Sequence, residues 1–177
     1  MNIVLRSCVP GDEALLSLLG GATFLEAFAD VLNGDDILAH CQHQHSPEVY
    51  RAWLEDNSVR VWIAETEAGH TPIGYLILMP STLTLEDSRE EREGSDLEVK
   101  RIYLLHRFQG MGIGKRLMQS AISFAREKGC SRLLLGVYGG NDAAIAFYER
   151  VGFAKVGTRR FTVGSTVCDD FILGMTL

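Results

Sequence analysis

Three glycines alternate in the segment RFQGMGIGKRLM, which runs from Arg107 to Met118, and two cationic residues follow them. A strand-like apolar pattern ends at Leu105 and a helical pattern begins at about Gly112, so the glycines stand at a strand-to-helix turn. The first N–H groups of a helix lack internal acceptors and lie at its positive end, which favours an anion. The segment therefore predicts a phosphate-binding loop, with a plain tight turn as the alternative.

The spacing of these glycines does not fit the two best-known nucleotide-binding loops. The dinucleotide fingerprint needs a third glycine where Lys115 or Leu117 stands. The Walker A loop needs a glycine at the position of Gln109 and a serine or threonine at that of Arg116. NAD binding and nucleoside triphosphate hydrolysis are therefore disfavoured, and the pyrophosphate of another ligand is expected.

A second segment, GVYGGNDAAIAFYERVGF, combines a strand end with a short helix that has chemically useful residues. Asn141 is a candidate N-cap of that helix, and Ala143 and Ala144 keep its first turn slim. Tyr148 follows Ala144 by one helical turn and lies on the same side. Taken alone, Tyr148 fits a half-buried core aromatic; combined with the glycine loop, it is a candidate proton donor.

The two segments together resemble the GNAT N-acetyltransferase superfamily. QGMGIG is similar to its Q/R-x-x-G-x-G/A loop, and the later segment is similar to its Asn-started helix with a terminal Tyr-x-x-x-Gly-Phe. Gln109 stands where many members have arginine, and His106 stands where proline is frequent. The resemblance implies one α/β domain over residues 1–177. Its mixed, mostly antiparallel sheet would have six or seven strands, flanking helices and a splay between the fourth and fifth strands.

The resemblance also implies direct transfer of an acetyl group from acetyl-CoA to a primary amine, with no metal. The pyrophosphate would bind the glycine loop, and the pantetheine arm would enter the splay and pair with strand backbone. The implied acetyl-CoA ligands are Ile102, Tyr103, Leu104, Gln109, Gly110, Met111, Gly112, Ile113, Gly114, Lys115, Asn141, Ala144 and Tyr148.

The same resemblance suggests roles in catalysis. A backbone N–H near Leu104 would stabilise the oxyanion, and Tyr148 would protonate the leaving thiolate. A tyrosine pKa of about 10 keeps that acid protonated at neutral pH. Glu98 is the candidate base, acting through water, and an ordinary exposed strand carboxylate is the alternative. Tyr103 and His106 are weaker candidates.

The acceptor is less clearly indicated. Over about its C-terminal half the chain resembles the bacterial spermine/spermidine-type branch, and carboxylates in FLEAFADVLNGDD and VCDDFILGMTL could meet a polycation. Those carboxylates are Glu26, Asp30, Asp35, Asp36, Asp169 and Asp170, of which Glu26, Asp30 and Asp170 are the substrate-binding candidates. A protein, peptide, amino-acid or aminoglycoside acceptor, or a non-catalytic acyl-CoA-binding regulator, is the alternative.

Composition and residue spacing bear on the other classes of protein to which the chain could belong. A net charge of −6 argues against a nucleic-acid binder, and no apolar run is long enough to cross a bilayer. Four widely spaced cysteines favour reduced thiols and a cytoplasmic protein, and a homodimer is the default expectation for the resembled family. HCQHQH at 40–45 lacks a known zinc spacing, and the charged segment LEDSREEREGSD at 85–96 predicts a solvated loop that could contact substrate.

The hydrophobic patterns predict one strand, helices, three strands, a helix, a strand, a helix and two strands. Gly20-Gly21 is expected to divide the first helix, which spans 13–31. Asp35-Asp36 is a candidate cap for a second helix, and Ser46-Pro47 is a candidate start for a third.

Overall fold

A computed structural model describes residues 2–85 and 96–177 of the chain, in which seven strands form one mixed sheet. The strands are β1 (Ile3–Ser7), β2 (Arg60–Thr66), β3 (Pro72–Pro80), β4 (Asp96–Leu104), β5 (Arg132–Tyr138), β6 (Ala154–Val163) and β7 (Thr166–Thr176). Their order is β1-β2-β3-β4-β5-β7-β6, and only β4 and β5 are parallel. The predicted α/β fold class is confirmed. Most of the charged loop falls on 86–95, outside the described residues.

Five α-helices flank the sheet in the described part of the chain. They are α1 (Glu13–Phe28), α2 (Gly34–Gln44), α3 (Pro47–Glu55), α4 (Ile113–Glu127) and α5 (Asp142–Val151), with a 3₁₀ turn at His106–Phe108. Among the described helices, none is long and apolar enough to span a bilayer. Ser46 caps α3 with Pro47 in its first turn, as predicted. The predicted cap of α2 is wrong: the Asn33 side chain accepts from the Asp36 amide, so Asp35 and Asp36 lie inside the helix.

The first helix is also continuous, so the predicted break at Gly20-Gly21 is wrong. Gly20 is buried because the Tyr50 hydroxyl and the His45 ring pack directly over its Cα, where a Cβ would lie 2.0 Å from Tyr50 Oη. Packing of α1 on α3 therefore stabilises a segment whose glycines alone disfavour a helix.

The two faces of the sheet carry separate cores. Helices α4 and α5 cover one face, around Leu117, Met118 and Leu133. Helices α1 and α3 cover the other, around Leu16 and Tyr50. A third cluster lies between α1, α2 and the β6–β7 hairpin and includes Phe24, Ile37, Val163 and Cys168.

The sheet opens between β4 and β5. These strands pair only at Asp96–Arg132, Leu97–Leu133 and Glu98–Leu134, after which β4 pairs only with β3 and β5 only with β7. A bulge in the β3–β4 register at Ile77/Leu78 precedes the opening on the β3 side. The predicted splay is therefore present, and we call this opening the β4–β5 gap.

Candidate active site

The glycine loop joins the end of β4 to the start of α4. Gly110 and Gly112 have φ values of +74° and +77°, in the left-handed region that glycine adopts without strain. A Cβ at either position would meet no atom within 4 Å, so the backbone conformation, and not crowding, requires glycine here. Gly110 and Gly112 are therefore explained by the path of the chain into α4.

The N-terminus of α4 is open. Within the described residues, the backbone N–H groups from Gly110 to Lys115 donate no hydrogen bond, and the first to do so is Arg116, which donates to the Gly112 carbonyl at 3.1 Å. No side chain caps the helix. Lys115 is exposed beside these amides, whereas the Arg116 guanidinium donates to the Ile3 carbonyl on β1. The loop can thus bind an anion through free amides at the positive helix end.

The other residues of the loop have different surroundings. Gln109 Nε2 donates to the Leu104 carbonyl at 3.3 Å, so the side chain ties the loop to the end of β4. Met111 is exposed, whereas the Ile113 side chain is in the core, leaving only its amide for a ligand. A Cβ on Gly114 would be 3.4 Å from Phe147, which shows how closely α4 and α5 approach there.

Strand β4 presents free backbone groups to the gap. The Leu105 amide donates to Ile73 on β3, and successive strand residues direct their backbone groups to opposite sides. The N–H and C=O groups of Ile102 and Leu104 therefore face the gap. Because Gln109 uses the Leu104 carbonyl, the Leu104 N–H is the free donor at that end.

Tyr148 closes the α5 side of the gap. The Asn141 side chain caps α5 by accepting from the Ala144 amide at 3.0 Å, as predicted. The Tyr148 ring packs between Phe147 and Phe153. In the described part of the chain its hydroxyl has no hydrogen bond, and no buried side-chain oxygen lacks a partner, so the hydroxyl retains contact with open space. Burial and the nearby Tyr103 raise the pKa of Tyr148, which keeps it protonated.

Tyr103 lies on β4, on the sheet face covered by α1 and α3. Its ring stacks on Tyr75, with centroids 6.1 Å apart. Burial raises the pKa of Tyr103 to about 12, and the charges of Arg101 and Asp170 act on it in opposite directions. Tyr103 is therefore a second protonated hydroxyl beside the gap.

Glu98 is buried, which contradicts the alternative interpretation of an ordinary exposed strand carboxylate. Its Oε2 accepts from the Thr82 amide and hydroxyl, both at 3.1 Å. Its Oε1 forms an ion pair with Lys100 at 3.2 Å. Both carboxylate oxygens are engaged, because β4 turns this side chain toward the segment that follows β3.

The carboxylates predicted to meet an acceptor are in unequal environments. Glu26 accepts from the His106 amide at 3.0 Å and so ties α1 to the glycine loop. Asp30 is exposed and makes no ion pair within the described residues. Asp170 is buried and paired with Arg159. Asp36 binds Ser165 and Thr166 of the β6–β7 hairpin.

Sequence reasoning missed Arg159 and the cluster around Arg101. Arg159 extends over Gly136, and this glycine inside a β5 run of large residues is a signal of close approach by another group. Arg101 donates to the Tyr50 hydroxyl at 3.1 Å and lies 3.4 Å from His45 Nδ1. No local pattern indicates that cluster, because its members come from three elements.

The histidine-rich segment packs against aromatic residues. His40 stacks on Phe24 with centroids 4.2 Å apart, and His45 lies 2.8 Å from the Tyr50 hydroxyl. Residues 2–85 and 96–177 contain no group of three or more histidine, cysteine, aspartate or glutamate residues that could hold a metal ion.

Comparisons with known proteins agree with this geometry. The sequence profile of the acetyltransferase (GNAT) family matches residues 25–153. An uncharacterized N-acetyltransferase in the pepI 3′ region of Lactobacillus delbrueckii subsp. lactis is 36% identical over 105 residues, which cover 59% of this chain and 58% of that protein. The chain spans about half the length of the curated relatives that it matches.

Two solved structures show the same fold. The PaiA N-acetyltransferase from Thermoplasma acidophilum, in complex with coenzyme A, superposes with a TM-score of 0.79 at 21% identity and full coverage of both chains. A chain of the NatC complex bound to Gag peptide and CoA superposes with a TM-score of 0.70 at 21% identity, covering 100% of this chain and 99% of that one.

Proposed function

The chain belongs to the acetyltransferase (GNAT) family, and on that premise we propose that it transfers the acetyl group of acetyl-CoA directly to a primary amine. The proposal rests chiefly on the open N-terminus of α4 beside the β4–β5 gap. A phosphate-binding helix end and an unpaired strand edge together suit a ligand with a pyrophosphate and an extended amide-containing arm.

Binding of acetyl-CoA uses backbone groups above all. The pyrophosphate accepts from the amides between Gly110 and Lys115, and the Lys115 ammonium adds positive charge. The pantetheine amides pair with the free backbone groups of Ile102, as an added strand would, and the Leu104 N–H remains available for the thioester. The same binding mode uses Met111, which precedes α4, and Asn141 and Ala144, which lie at the start of α5.

The acetyl transfer takes place where the pantetheine arm ends in the β4–β5 gap. A neutral amine attacks the thioester carbonyl, and the Leu104 N–H stabilises the resulting oxyanion. Collapse of the tetrahedral intermediate breaks the C–S bond, and Tyr148 donates its proton to the departing sulfur. Its raised pKa matches this role, because a group that stays protonated at neutral pH can act as the acid.

For the acceptor we propose a polyamine such as spermidine or spermine. The exposed Asp30 and Asp35 support this choice, since each can bind an ammonium group without first breaking an ion pair among the described residues. Asp36 and Asp169 contribute less, because hairpin donors bind Asp36 and Arg160 lies 3.9 Å from Asp169.

A peptide or protein amine is the second candidate. The NatC complex, one chain of which shares the fold, is bound to a Gag peptide, and in the present protein an open depression of about 420 Å³ lies beside Tyr138, Asp169 and Phe171. An open depression accommodates a chain that extends beyond the reacting amine. An amino acid or aminoglycoside is smaller and would occupy less of this depression.

We also propose a cytoplasmic homodimer. None of the four cysteines forms a disulfide among the described residues, which supports a reducing compartment. Strand β6 lies at one edge of the sheet and could pair with a second copy. Sedimentation at several protein concentrations tests the dimer, and a monomer at every concentration contradicts it.

A thiol-release assay tests the activity. Purified protein, acetyl-CoA and one amine at a time are mixed, using spermidine, spermine, an amino acid, an aminoglycoside and a peptide with a free N-terminus. Free coenzyme A and an acetylated product of matching mass are expected with spermidine or spermine. Acetyl-CoA without amine is the background control.

The outcomes separate the alternatives. Turnover that is fastest with a neutral or anionic acceptor rejects the polyamine. Turnover with the peptide alone favours the second candidate. Acetyl-CoA binding without thiol release from any amine indicates a regulator and rejects the proposed activity.

A further inference from the structure

Two groups flank the β4–β5 gap on the sheet face that α1, α2 and α3 cover. Tyr103 lies on β4, and the ion pair of Asp170 and Arg159 lies on the other side. Asp170 is the register partner both of Tyr138, where β5 ends, and of Arg159 on β6. The guanidinium extends across β7 to β5, because a Cβ on Gly136 would be 2.3 Å from its Nη2. The pair therefore reaches the strand that borders the gap.

One oxygen of Asp170 is left free. Arg159 Nε and Nη2 both contact Oδ2, at 3.3 and 3.2 Å. Oδ1 accepts no hydrogen bond from the described residues, and no buried side-chain oxygen among them lacks a partner, so Oδ1 retains contact with open space although Asp170 is only 4% exposed. The Tyr103 hydroxyl is likewise without a hydrogen bond in this part of the chain. A carboxylate oxygen and a hydroxyl thus remain available beside one opening.

The other carboxylates near the gap are less suited to accept a proton. Glu98 has both oxygens engaged by Thr82 and Lys100. Asp169 is exposed on the opposite side of β7, where water solvates it. Asp170 alone among these three combines burial, a fixed orientation and a free oxygen.

We propose that Asp170 is the general base that takes the proton from the acceptor ammonium, and that Arg159 is the residue that positions it. The inference rests on the acetyl transfer proposed above and identifies the group that docks the acceptor amine. Asp170 Oδ1 removes one proton, the neutral amine forms the C–N bond as the carbonyl becomes an oxyanion, and the C–S bond breaks when this intermediate collapses. Tyr148 protonates the thiolate and is reprotonated by the second amine proton. The sum is ammonium plus acetyl-CoA giving amide, coenzyme A and one proton.

The electrostatic surroundings of Asp170 agree with this role. Burial raises the pKa of Asp170, Arg159 on β6 lowers it, and Asp169 on the same strand raises it. Tyr103 on β4 faces it across the gap and is near enough for the charge of Asp170 to raise the pKa of that tyrosine. The base is active only when ionised, so activity falls as pH drops through its pKa.

The test compares Asp170→Asn with Asp169→Asn. Initial rates give kcat and KM for each variant over a pH series, and calorimetry gives Kd for acetyl-CoA. Asp170→Asn is expected to lower kcat about 100- to 10,000-fold, to abolish the acidic limb and to leave Kd unchanged. Asp169→Asn should keep the acidic limb and move it to lower pH, because this change removes a charge that raises the pKa of Asp170. The defect of Asp170→Asn should shrink at high pH or with an acceptor of lower amine pKa, because solvent then supplies the neutral amine.

Several results overturn the inference. A raised KM with unchanged kcat and pH profile makes Asp170 a binding residue only. Loss of the acidic limb in Glu98→Gln, but not in Asp170→Asn, assigns the base to Glu98. A parent protein that releases no thiol with any amine rejects the proposed function as well, whereas an active parent with a fully active Asp170→Asn rejects this inference alone.

A second variant guards against misfolding of Asp170→Asn, which calorimetry would reveal as lost acetyl-CoA binding. Arg159→Gln keeps the carboxylate and removes the charge that lowers its pKa. The acidic limb should therefore move to higher pH. An acidic limb that stays in place contradicts the role of Asp170.

Discussion

Tyr148 has a ring that is almost completely buried and a hydroxyl that no described residue binds. A purely structural tyrosine in a core normally satisfies its hydroxyl through a protein partner. Tyr103 lies near Tyr148, so single-residue variants must decide which of the two hydroxyls protonates the leaving thiolate.

Tyr148→Phe should lower kcat about 100-fold or more and leave the Kd of acetyl-CoA nearly unchanged, because the hydroxyl acts on the leaving sulfur and not on the bound ground state. Steady-state kinetics and calorimetry measure the two quantities. Tyr103→Phe is the matched comparison. A larger loss of kcat in Tyr103→Phe than in Tyr148→Phe would show that Tyr103, and not Tyr148, is the acid.

At the scale of elements, the glycines differ in the structural reason that requires a glycine. Gly112 supplies a left-handed φ of +77° at the start of α4, with open space around it. Gly11 has a φ of +110°, also with open space, in the β1–α1 turn. Gly20 has no such φ and is required by close packing of α1 on Tyr50.

Gly112→Ala should weaken acetyl-CoA binding and lower the free energy of unfolding by about 1 kcal/mol, since a left-handed alanine is strained. Calorimetry and urea unfolding provide the measurements. Gly11→Ala, the control, introduces the same kind of strain away from the loop, so it should lower stability without changing Kd. Equal effects of both variants on the Kd of acetyl-CoA would show that the glycine loop is not part of the binding site.

Gly20→Ala and Gly21→Ala should change stability in opposite directions although the residues are adjacent in α1. The added methyl of Gly20→Ala collides with Tyr50 Oη and His45 Nδ1, which costs about 1–3 kcal/mol. The methyl of Gly21→Ala meets nothing within 4 Å and should stabilise the helix by about 0.5–1 kcal/mol. Urea unfolding of both variants is the measurement, and shifts of the same sign would contradict the described packing of α1.

At the scale of the whole molecule, one polar cluster joins the α2–α3 turn, α3 and the central strands β3 and β4. Tyr50 Oη lies 2.8 Å from His45 Nδ1 and 3.3 Å from the Tyr75 hydroxyl, and Arg101 donates to it. Burial and the Arg101 charge lower the pKa of His45 to about 2 and that of His40 to about 4. Both rings are therefore neutral in the folded protein at neutral pH.

Acid should destabilise the protein from about pH 6.5 downward. The unfolded chain then binds protons at His40 and His45 that the folded chain does not, so the free energy of unfolding falls with pH by up to about 1.4 kcal/mol per pH unit for each histidine. Urea unfolding over a pH series measures this slope. His45→Gln should reduce it.

His43→Gln is the control for that slope, because His43 is an exposed residue of α2 that lies two positions before His45. It should retain the pH dependence of the parent protein. A slope that His45→Gln leaves unchanged would mean that the buried histidine is not the source of the acid sensitivity.

The sequence alone determined the features that neighbouring residues encode. The left-handed glycines before α4, the Asn141 cap of α5 and the Ser46-Pro47 start of α3 each depend on backbone conformation within a few positions. The element order and the splay were likewise predictable, the former from hydrophobic periodicity and the latter from family resemblance. Local signals succeed here because the responsible groups are close in the chain.

Only the tertiary structure decided the environment of each ionisable group. Nothing near Asp170 in the chain indicates that Arg159 will hold one of its oxygens, or that Gly136 will make room for that guanidinium. Glu98 became a fully engaged carboxylate, and His45 a buried neutral ring, through partners on other elements. Burial and charge pairing depend on which strands and helices become neighbours, and these properties, more than residue type, determine which group can move a proton.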